Sequence, residues 1–278
     1  MNRKLVGSGL GMLILTLAGV LPARAEPDYL WPKFSVTGGS YWISVDDTIR
    51  VDASTTVRGT EISLDGDLAL PDSDSLLTFG LDWGFAERHS LRFRYYAHDR
   101  EGSRSASRTI TIGDVTFPVG ARLDAETELT SIEGIYDYWF VRQDNLGFGG
   151  SFGLVYLNVD ASVTGTAMFG SAGATESRSV SANTDLPVPM IGLAFKANPW
   201  RRLVFHADGR YLPSVKVGDV NGEAGSYSIG ADLYLFGPFA IGGSYDGSFY
   251  KVDLDRTSWR GSADLTTEGW KGYVRLSF

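Results

Sequence analysis

The chain has no cysteine and only three histidines among its 278 residues. The absence of cysteine excludes disulfide bridges, thiolate metal sites and cysteine nucleophiles. Beyond Leu21 the chain also lacks any apolar run long enough to cross a membrane as a helix. If this chain spans a membrane it must cross with strands, because only helices and closed barrels satisfy their own backbone hydrogen bonds in lipid.

Basic residues are the next shortage. The sequence contains 25 lysines and arginines against 33 aspartates and glutamates, which gives a formal net charge of -8. An acidic chain has no electrostatic basis for binding a phosphate backbone. Nucleic acid is therefore excluded as an expected partner.

The amino terminus has the pattern of a secretory signal peptide. Arg3 and Lys4 precede an apolar run, and Ala25 ends a small-x-small cleavage motif. The run is too short to span the hydrocarbon comfortably, which favours cleavage over a retained anchor. We expect residues 1–25 to be removed. Residues 26–278 would remain as a single barrel domain of 253 residues with a net charge of -11, because three basic residues leave with the signal peptide.

Ten segments with period-two alternation follow, and this alternation predicts strands. Their connections alternate between four tight turns and five longer loops. That rhythm is typical of an up-and-down membrane barrel with periplasmic turns and extracellular loops. The predicted strands cover 34–52, 76–86, 90–101, 123–141, 146–160, 186–197, 201–213, 225–236, 239–252 and 264–278. The predicted turns are 87–89, 142–145, 198–200 and 237–238, and the predicted loops are 53–75, 102–122, 161–185, 214–224 and 253–263.

The first strand departs from simple alternation. Its apolar parity changes between Val36 and Tyr41. A bulge at Gly38–Gly39 would produce such a change. If this region instead breaks into shorter strands, the strand count becomes eight or twelve rather than ten.

Two observations favour lipid outside the barrel over a soluble barrel with an apolar interior. The less apolar face of the strands is rich in small and charged residues, as a narrow lumen would be. Aromatic residues also collect near strand ends, as they do in interfacial girdles. The predicted girdle residues are Trp42, Trp83, Trp139, Tyr156, Trp200, Phe236, Phe239, Phe249, Trp259 and Trp270.

Thirteen polar residues are predicted to line the lumen as a structural network. Six are basic, six are acidic and one is a histidine, and unpaired charges in a narrow lumen are costly, so ion pairs are expected. We expect Arg92 and Arg94 to pair with Glu133 and Asp137 of the following strand. Side chains can fill a small barrel, whereas an open channel needs more strands, so the lumen is predicted to be plugged. The thirteen are Asp82, Arg92, Arg94, Glu133, Asp137, Lys196, His206, Asp208, Arg210, Asp232, Asp246, Lys271 and Arg275.

Candidates for chemistry are weak. His98, followed by Asp99, is the one positional candidate for catalysis, and no Ser or Asp motif accompanies it. The first long loop is acidic but lacks the full ligand order of a calcium loop. We therefore predict no enzymatic activity, no metal site and no cofactor. The acidic loop residues are Glu61, Asp65, Asp67, Asp72 and Asp74.

The carboxy-terminal strand ends on the aromatic Phe278. This terminus, together with Gly59–Leu70, Arg88–Arg92 and Val119–Asp124, resembles the small outer-membrane β-barrel proteins of Gram-negative bacteria, in a proteobacterial branch of the OmpA/OmpW-like class. The resemblance implies an all-β, transmembrane antiparallel barrel in the outer membrane. It also implies a monomer in contact with outer-membrane lipid and lipopolysaccharide, with Phe278 read by the barrel assembly machinery. It implies no catalytic motif.

Three functions are compatible with the sequence. The first is a small structural or surface-exposed barrel with a plugged lumen and five extracellular loops. The second is a narrow diffusion channel for small or hydrophobic molecules, which a continuous gap between lumen side chains would favour. The third is a lipid-modifying enzyme, which a cluster of His, Ser and carboxylate at the rim would favour.

Overall fold

The computed structural model describes residues 28–54, 58–169, 174–255 and 260–278. The predicted signal peptide lies outside these residues. Within them the named elements are all β-strands, and no helix is long and apolar enough to cross a membrane. The strands are β1 (Phe34–Val51), β2 (Ile62–Ser63), β3 (Ser73–Ala86), β4 (His89–Ser105), β5 (Ile110–Ile112), β6 (Val115–Phe117), β7 (Arg122–Arg142), β8 (Leu146–Phe169), β9 (Ala174–Trp200), β10 (Leu203–Val217), β11 (Val220–Phe236), β12 (Phe239–Asp255) and β13 (Arg260–Ser277).

The long strands form one antiparallel ring, which confirms the predicted barrel. Each pairs with its neighbour in chain order, and β13 closes on β1 from Ser35 opposite Ser277 to Val51 opposite Gly261. The short strand β2 adds to β1, while β5 and β6 form a separate hairpin. Closure matters because a barrel leaves no free edge along the strands of its ring.

The two ends of the barrel differ. At one end, named here the turn end, residues 87–88, 143–145, 201–202 and 237–238 join the strands. Phe34 and Phe278 also meet there, through backbone hydrogen bonds of 3.0 and 2.7 Å. The opposite end, named the loop end, carries the long connections 52–72 and 106–121. Membrane barrels of this kind turn their short connections to the periplasm and their long ones outward.

Three of the predicted loops are wrong. Residues 161–185, 214–224 and 253–263 lie largely in strands, and β10 joins β11 through residues 218–219 alone. The prediction ended each strand where its outward face became polar. The ladder continues beyond that point because the inward face stays apolar.

The turn predicted at 198–200 is also displaced. β9 continues to Trp200, which pairs with Leu203, and the turn is formed by residues 201–202. The register shifts next to it, so that Asn198 and Pro199 together oppose Val204. A bulge tolerates proline because the extra residue makes no ladder hydrogen bond.

The change of apolar parity in β1 is not a bulge. The pairing of β1 with both neighbours runs through Gly38–Gly39 without a register shift. Trp42 faces outward and is 55% exposed, whereas Tyr41 and Ile43 face inward and are 3% and 2% exposed. The parity changes because the apolar side is outside near the turn end and inside near the loop end.

An apolar belt surrounds the turn-end half of the barrel. On β8 the outward residues Phe152 and Tyr156 are exposed, and the next outward residues are Asn158 and Asp160. Six predicted girdle aromatics are exposed on this belt, Trp139 instead faces inward, and Trp259 lies outside the described residues. Lipid covers such a surface in membrane barrels. The six are Trp42, Trp83, Tyr156, Trp200, Phe236 and Trp270.

The belt gives a position-dependent prediction. Leu193 faces outward within the belt and is 54% exposed. Leu193→Arg should therefore lower the free energy of unfolding in a lipid bilayer by about 2–4 kcal/mol. Ser162 faces outward on β8 beyond the belt. Ser162→Arg should therefore lower the free energy of unfolding by less than about 0.5 kcal/mol. Urea unfolding in phospholipid vesicles measures both, and equal costs would contradict the belt.

Candidate functional site: the closed barrel interior

The segment before β1, residues 28–33, enters the turn end of the barrel and is named here the plug segment. Asp28 Oδ1 accepts hydrogen bonds from the backbone N–H groups of Leu30 and Trp31, at 3.2 and 3.0 Å. Leu30 is 1% exposed, and the rings of Tyr29 and Tyr234 lie 4.3 Å apart. Sequence reasoning missed this plug because the segment precedes the first strand and has no periodicity.

Trp31 is the largest side chain of the plug segment. Its indole N–H donates to the Gln143 carbonyl at 2.8 Å, and its ring meets Trp139 edge-on at 5.1 Å. Gly147 makes room for it, since a Cβ at that position would lie 2.5 Å from the Trp31 ring. Trp139 faces inward because it belongs to this contact, and its Nε1 donates to Ser90 Oγ at 3.0 Å.

The thirteen predicted lumen residues all lie inside the barrel. Twelve of them line a central cavity of about 160 Å³. The thirteenth, Asp137, is fully buried against Arg92. The alternation of the strands therefore brings these side chains into one polar layer at the level of the belt.

A chain of ion pairs crosses this layer. The Arg92 guanidinium donates to Asp137 at 2.8 and 2.9 Å, and to Asp208 at 2.7 Å. Arg210 donates to Asp208 at 2.8 Å and to Glu133 at 2.7 Å. Forked, charge-assisted hydrogen bonds of this kind are the strong ones. They join β4, β7 and β10 across the lumen.

The prediction that Arg94 pairs with a carboxylate of β7 is wrong, whereas Arg92 does bind Asp137 of that strand. Arg94 donates to Asp82 on β3 at 2.6 Å. Arg94 pairs with Gly80 on the neighbouring strand β3. A Cβ on residue 80 would lie only 3.1 Å from Nη1 of Arg94, so the guanidinium uses the space that this glycine leaves. The glycine lets the guanidinium cross β3 towards Asp82 instead of β7.

The other side of the lumen holds the remaining groups. Arg275 also donates to Asp82, and its Nη1 lies 3.4 Å from Asp232. Tyr273 donates to Asp232 at 2.7 Å and lies 2.9 Å from His206 Nε2. In the same layer, the ion pair of Lys271 with Asp246 measures 3.4 Å. The lumen carboxylates thus have cationic or hydroxyl partners.

The interior changes character towards the loop end, where it is apolar. Val155 and Leu157 of β8 and Met190 of β9 are each 1% exposed there. They pack in one cluster with Tyr250 and Val252 of β12. This core begins at the level of the last belt residues, Leu154 and Tyr156, and continues beyond the belt, where the outer face of the same strands is polar.

The two long connections, 58–72 and 106–121, fold over the loop end and are named here the lid. Ile62, Ile110 and Phe117 are fully buried in a cluster that includes Leu123 of the barrel wall. The lid closes the barrel because the hairpin β5–β6 and the first loop share this core. Apolar side chains therefore seal the end that the sequence predicted to carry solvated loops.

Two acidic residues of the first loop, Asp65 and Asp67, make contacts within the lid. Asp67 binds Arg108 at 2.6 Å, and this contact holds the pKa of the Asp67 carboxyl below its ordinary value. Asp65 accepts a hydrogen bond from Ser63. In the described part of the chain, no group of three or more His, Cys, Asp or Glu side chains is placed to hold a metal ion.

His98 lies inside the loop-end half and is 3% exposed. Its Nε2 is 3.1 Å from Asp74 Oδ2. Asp99 lies on the opposite, outward parity of β4 and is exposed. Within the described residues, no serine hydroxyl bonds to His98, so this pair does not form the cluster that acyl transfer needs.

Three cavities can be placed inside the described barrel. One of about 260 Å³ lies beside the plug segment and shares six lining residues with the central cavity. The third, of about 50 Å³, lies under the lid and shares only Tyr96 with the central cavity. Its walls are mostly apolar, apart from the Asp47–Arg100 ion pair. The polar layer therefore separates the space at the turn end from the space under the lid.

Comparison with known proteins identifies the fold. No protein-family profile matches the chain, and no curated protein matches its sequence. Among solved structures, the outer membrane protease OmpT from Escherichia coli is similar, with a TM-score of 0.60 at 8% identity over 88% of this chain and 96% of that one. The protein has the fold of a Gram-negative outer-membrane β-barrel.

Two further solved structures are also similar to this barrel. Ail of Yersinia pestis covers 87% of this chain and 97% of its own at 12% identity, with a TM-score of 0.31. Neisserial surface protein A covers 88% and 97% at 12% identity, with a TM-score of 0.31. Identities this low describe the fold and carry no activity across.

A double-mutant cycle tests the ion-pair layer. Arg92→Ala leaves the buried Asp137 without its cation and leaves Asp208 with Arg210 alone, so it should lower the free energy of unfolding by about 3–5 kcal/mol. The double variant, Arg92→Ala with Asp137→Ala, should lose less unfolding free energy than the two single variants added together. The difference should exceed about 1 kcal/mol. The exposed pair Lys251–Asp264, at 3.8 Å, is the control and should show less than about 1 kcal/mol of coupling. Urea unfolding in vesicles gives the free energies, and additive Arg92 and Asp137 effects would contradict the layer.

Proposed function

We propose that this protein is a closed, monomeric outer-membrane barrel with a structural or surface-exposed role and no catalytic activity. Cleavage of residues 1–25 would precede its assembly. Its wall would contact outer-membrane lipid and lipopolysaccharide. The observation that carries the proposal is the closure of the interior at three levels, by the plug segment, the ion-pair layer and the lid.

Each level blocks passage by a different means. At the turn end, Leu30 and Tyr29 fill part of the mouth of the barrel, beside the cavity of about 260 Å³. In the middle, Arg92 and Arg210 hold three carboxylates across the lumen. At the loop end, the apolar core of the lid covers the barrel. A solute that entered the turn-end cavity would still have to separate buried ion pairs and displace the apolar packing of the lid.

The first alternative is a narrow diffusion channel for small or hydrophobic molecules, and the cavity under the lid favours a hydrophobic one. That cavity measures about 50 Å³, whereas an apolar cavity that binds benzene measures about 150 Å³. The closed structure therefore offers too little space for such a ring. Transport would require the lid and the ion-pair layer to open together, which makes this the weaker proposal.

The second alternative is an enzyme. OmpT is a protease, and outer-membrane barrels can therefore support hydrolysis. In this chain the pair His98–Asp74 lies at the loop end with His98 buried. A substrate would reach His98 only after the side chains that bury it had moved, so we assign this pair a structural role.

The carboxy terminus offers a test of assembly. Phe278 is 43% exposed on the outer face, and its backbone pairs with Phe34 to close the ring. Phe278→Asp should lower the folded fraction in the membrane while synthesis is unchanged, because a charge would stand at the closing seam. Comparison of heated and unheated samples in detergent gels measures the fraction. Phe278→Tyr is the control, and normal folding of the Asp variant would remove Phe278 from the assembly signal.

Closure itself is tested by conductance. The purified protein in planar bilayers should show little or no steady current, because the plug segment, the ion pairs and the lid lie in series. Double replacement Arg92→Ala with Asp137→Ala should keep the conductance low, since both ends remain closed. A large and stable ion-selective current from the wild type would overturn the closed barrel in favour of the channel.

A further inference from the structure

The cavity beside the plug segment has an excess of positive charge. It measures about 260 Å³ and is lined by Lys33, Arg142 and Lys196 among other residues. Within the described residues, these three cations make no ion pair within 4.0 Å. The carboxylates that line the cavity are Asp82, which already binds two arginines, and Glu87.

Two of these cations meet at the ring of Trp31. The guanidinium carbon of Arg142 lies 4.8 Å from the ring centroid, and Lys196 Nζ lies 5.3 Å from it. The two heads are therefore no more than 10.1 Å apart. Lys196 Nζ also lies 4.7 Å from the Trp139 ring. Indole faces hold cations in place but accept none of their conventional hydrogen bonds.

Arg142 adds a more specific sign of an absent partner. Its Nε is buried and has no hydrogen-bond acceptor in the described structure. Buried charged donors are costly when left without an acceptor. Nε of Arg210 and of Arg275 is also buried without an acceptor, but the Nη atoms of both arginines bind carboxylates. Within the described residues, Arg142 has no such ion pair through any of its nitrogens.

We propose that this cavity binds a phosphate group that contacts Arg142 and Lys196 past the edge of the Trp31 ring, with Lys33 at its entrance. A guanidinium fork and an ammonium group together suit a tetrahedral oxyanion. The volume accommodates a phosphate monoester, because it exceeds the share of about 30 Å³ that one water occupies in the liquid several times over. The phosphate comes either from a small soluble ester or from a phospholipid headgroup at the turn-end rim.

Phosphate binding would also strengthen the plug. Trp31 belongs to the plug segment and contacts both cations, and its indole N–H donates to the Gln143 carbonyl in the turn between β7 and β8. An anion that holds Arg142 and Lys196 in place therefore also restrains Trp31, which both cations contact. The site goes beyond the closed barrel, since closure alone requires no ligand.

The test is calorimetric titration of the folded barrel with glycerol phosphate at low salt, in dodecyl maltoside micelles, which contain no phosphate. Saturable binding that weakens as salt rises is expected. Lys196→Gln and Arg142→Gln should each weaken it by about tenfold or more. Lys251→Gln, at the loop end, should leave it unchanged. Lys33→Gln is the second probe, because this exposed side chain carries no packing that folding depends on.

Repeating the titration in phosphatidylglycerol nanodiscs separates the two sources. If lipid headgroups fill the site, the affinity for glycerol phosphate is lower in the nanodiscs than in the micelles, and it falls less in Lys196→Gln. If soluble esters are the ligand, the affinities of wild type and Lys196→Gln change equally. No saturable binding in the phosphate-free micelles, or binding that none of the three substitutions alters, would overturn the proposal. The bilayer conductance that tests the closed barrel does not depend on any of these outcomes, so the two proposals can fail separately.

Discussion

The outer surface of this barrel crosses a boundary between lipid and water, and every strand must change its pattern there. A strand shows alternate residues to opposite faces, so the apolar face points outward in the belt and inward beyond it. On β8 the outward Tyr156 is the last apolar residue of the belt, and its inward neighbours Val155 and Leu157 belong to the inner core. The same reversal explains the parity change in β1 without any bulge.

This reversal determines what fills the interior at each height. In the belt, polar residues must face the lumen, and burial then requires them to pair. Arg92, Asp137 and Asp208 meet this requirement through short, forked hydrogen bonds. Beyond the belt the interior is apolar, so the lid can close by packing. At the turn end, the plug segment with Trp31 enters the barrel in place of further ion pairs or a lid. The cations beside it, Arg142 and Lys196, have no carboxylate partner among the described residues.

Local periodicity made the barrel, its chain order and the inward set of thirteen polar residues predictable from the sequence. Pairings that depend on neighbours across the sheet were not predictable. Arg94 reaches Asp82 because Gly80 is opposite it, a fact of register. Trp139 looked like a girdle aromatic, but its inward parity joins it to Trp31. The strand ends were misjudged because a reversal of apolar parity resembles the end of a strand.

Depth-resolved lipid quenching along β8 tests the reversal most directly, and the absence of cysteine allows single labelled cysteines to be introduced. Labels replacing Phe152 and Tyr156 should be quenched by brominated lipids. A label replacing Asp160, on the same outward face, should not be quenched and should be reached by a water-soluble quencher. Lipid quenching that persists to Asp160, or quenching that stops before Phe152, would contradict the account.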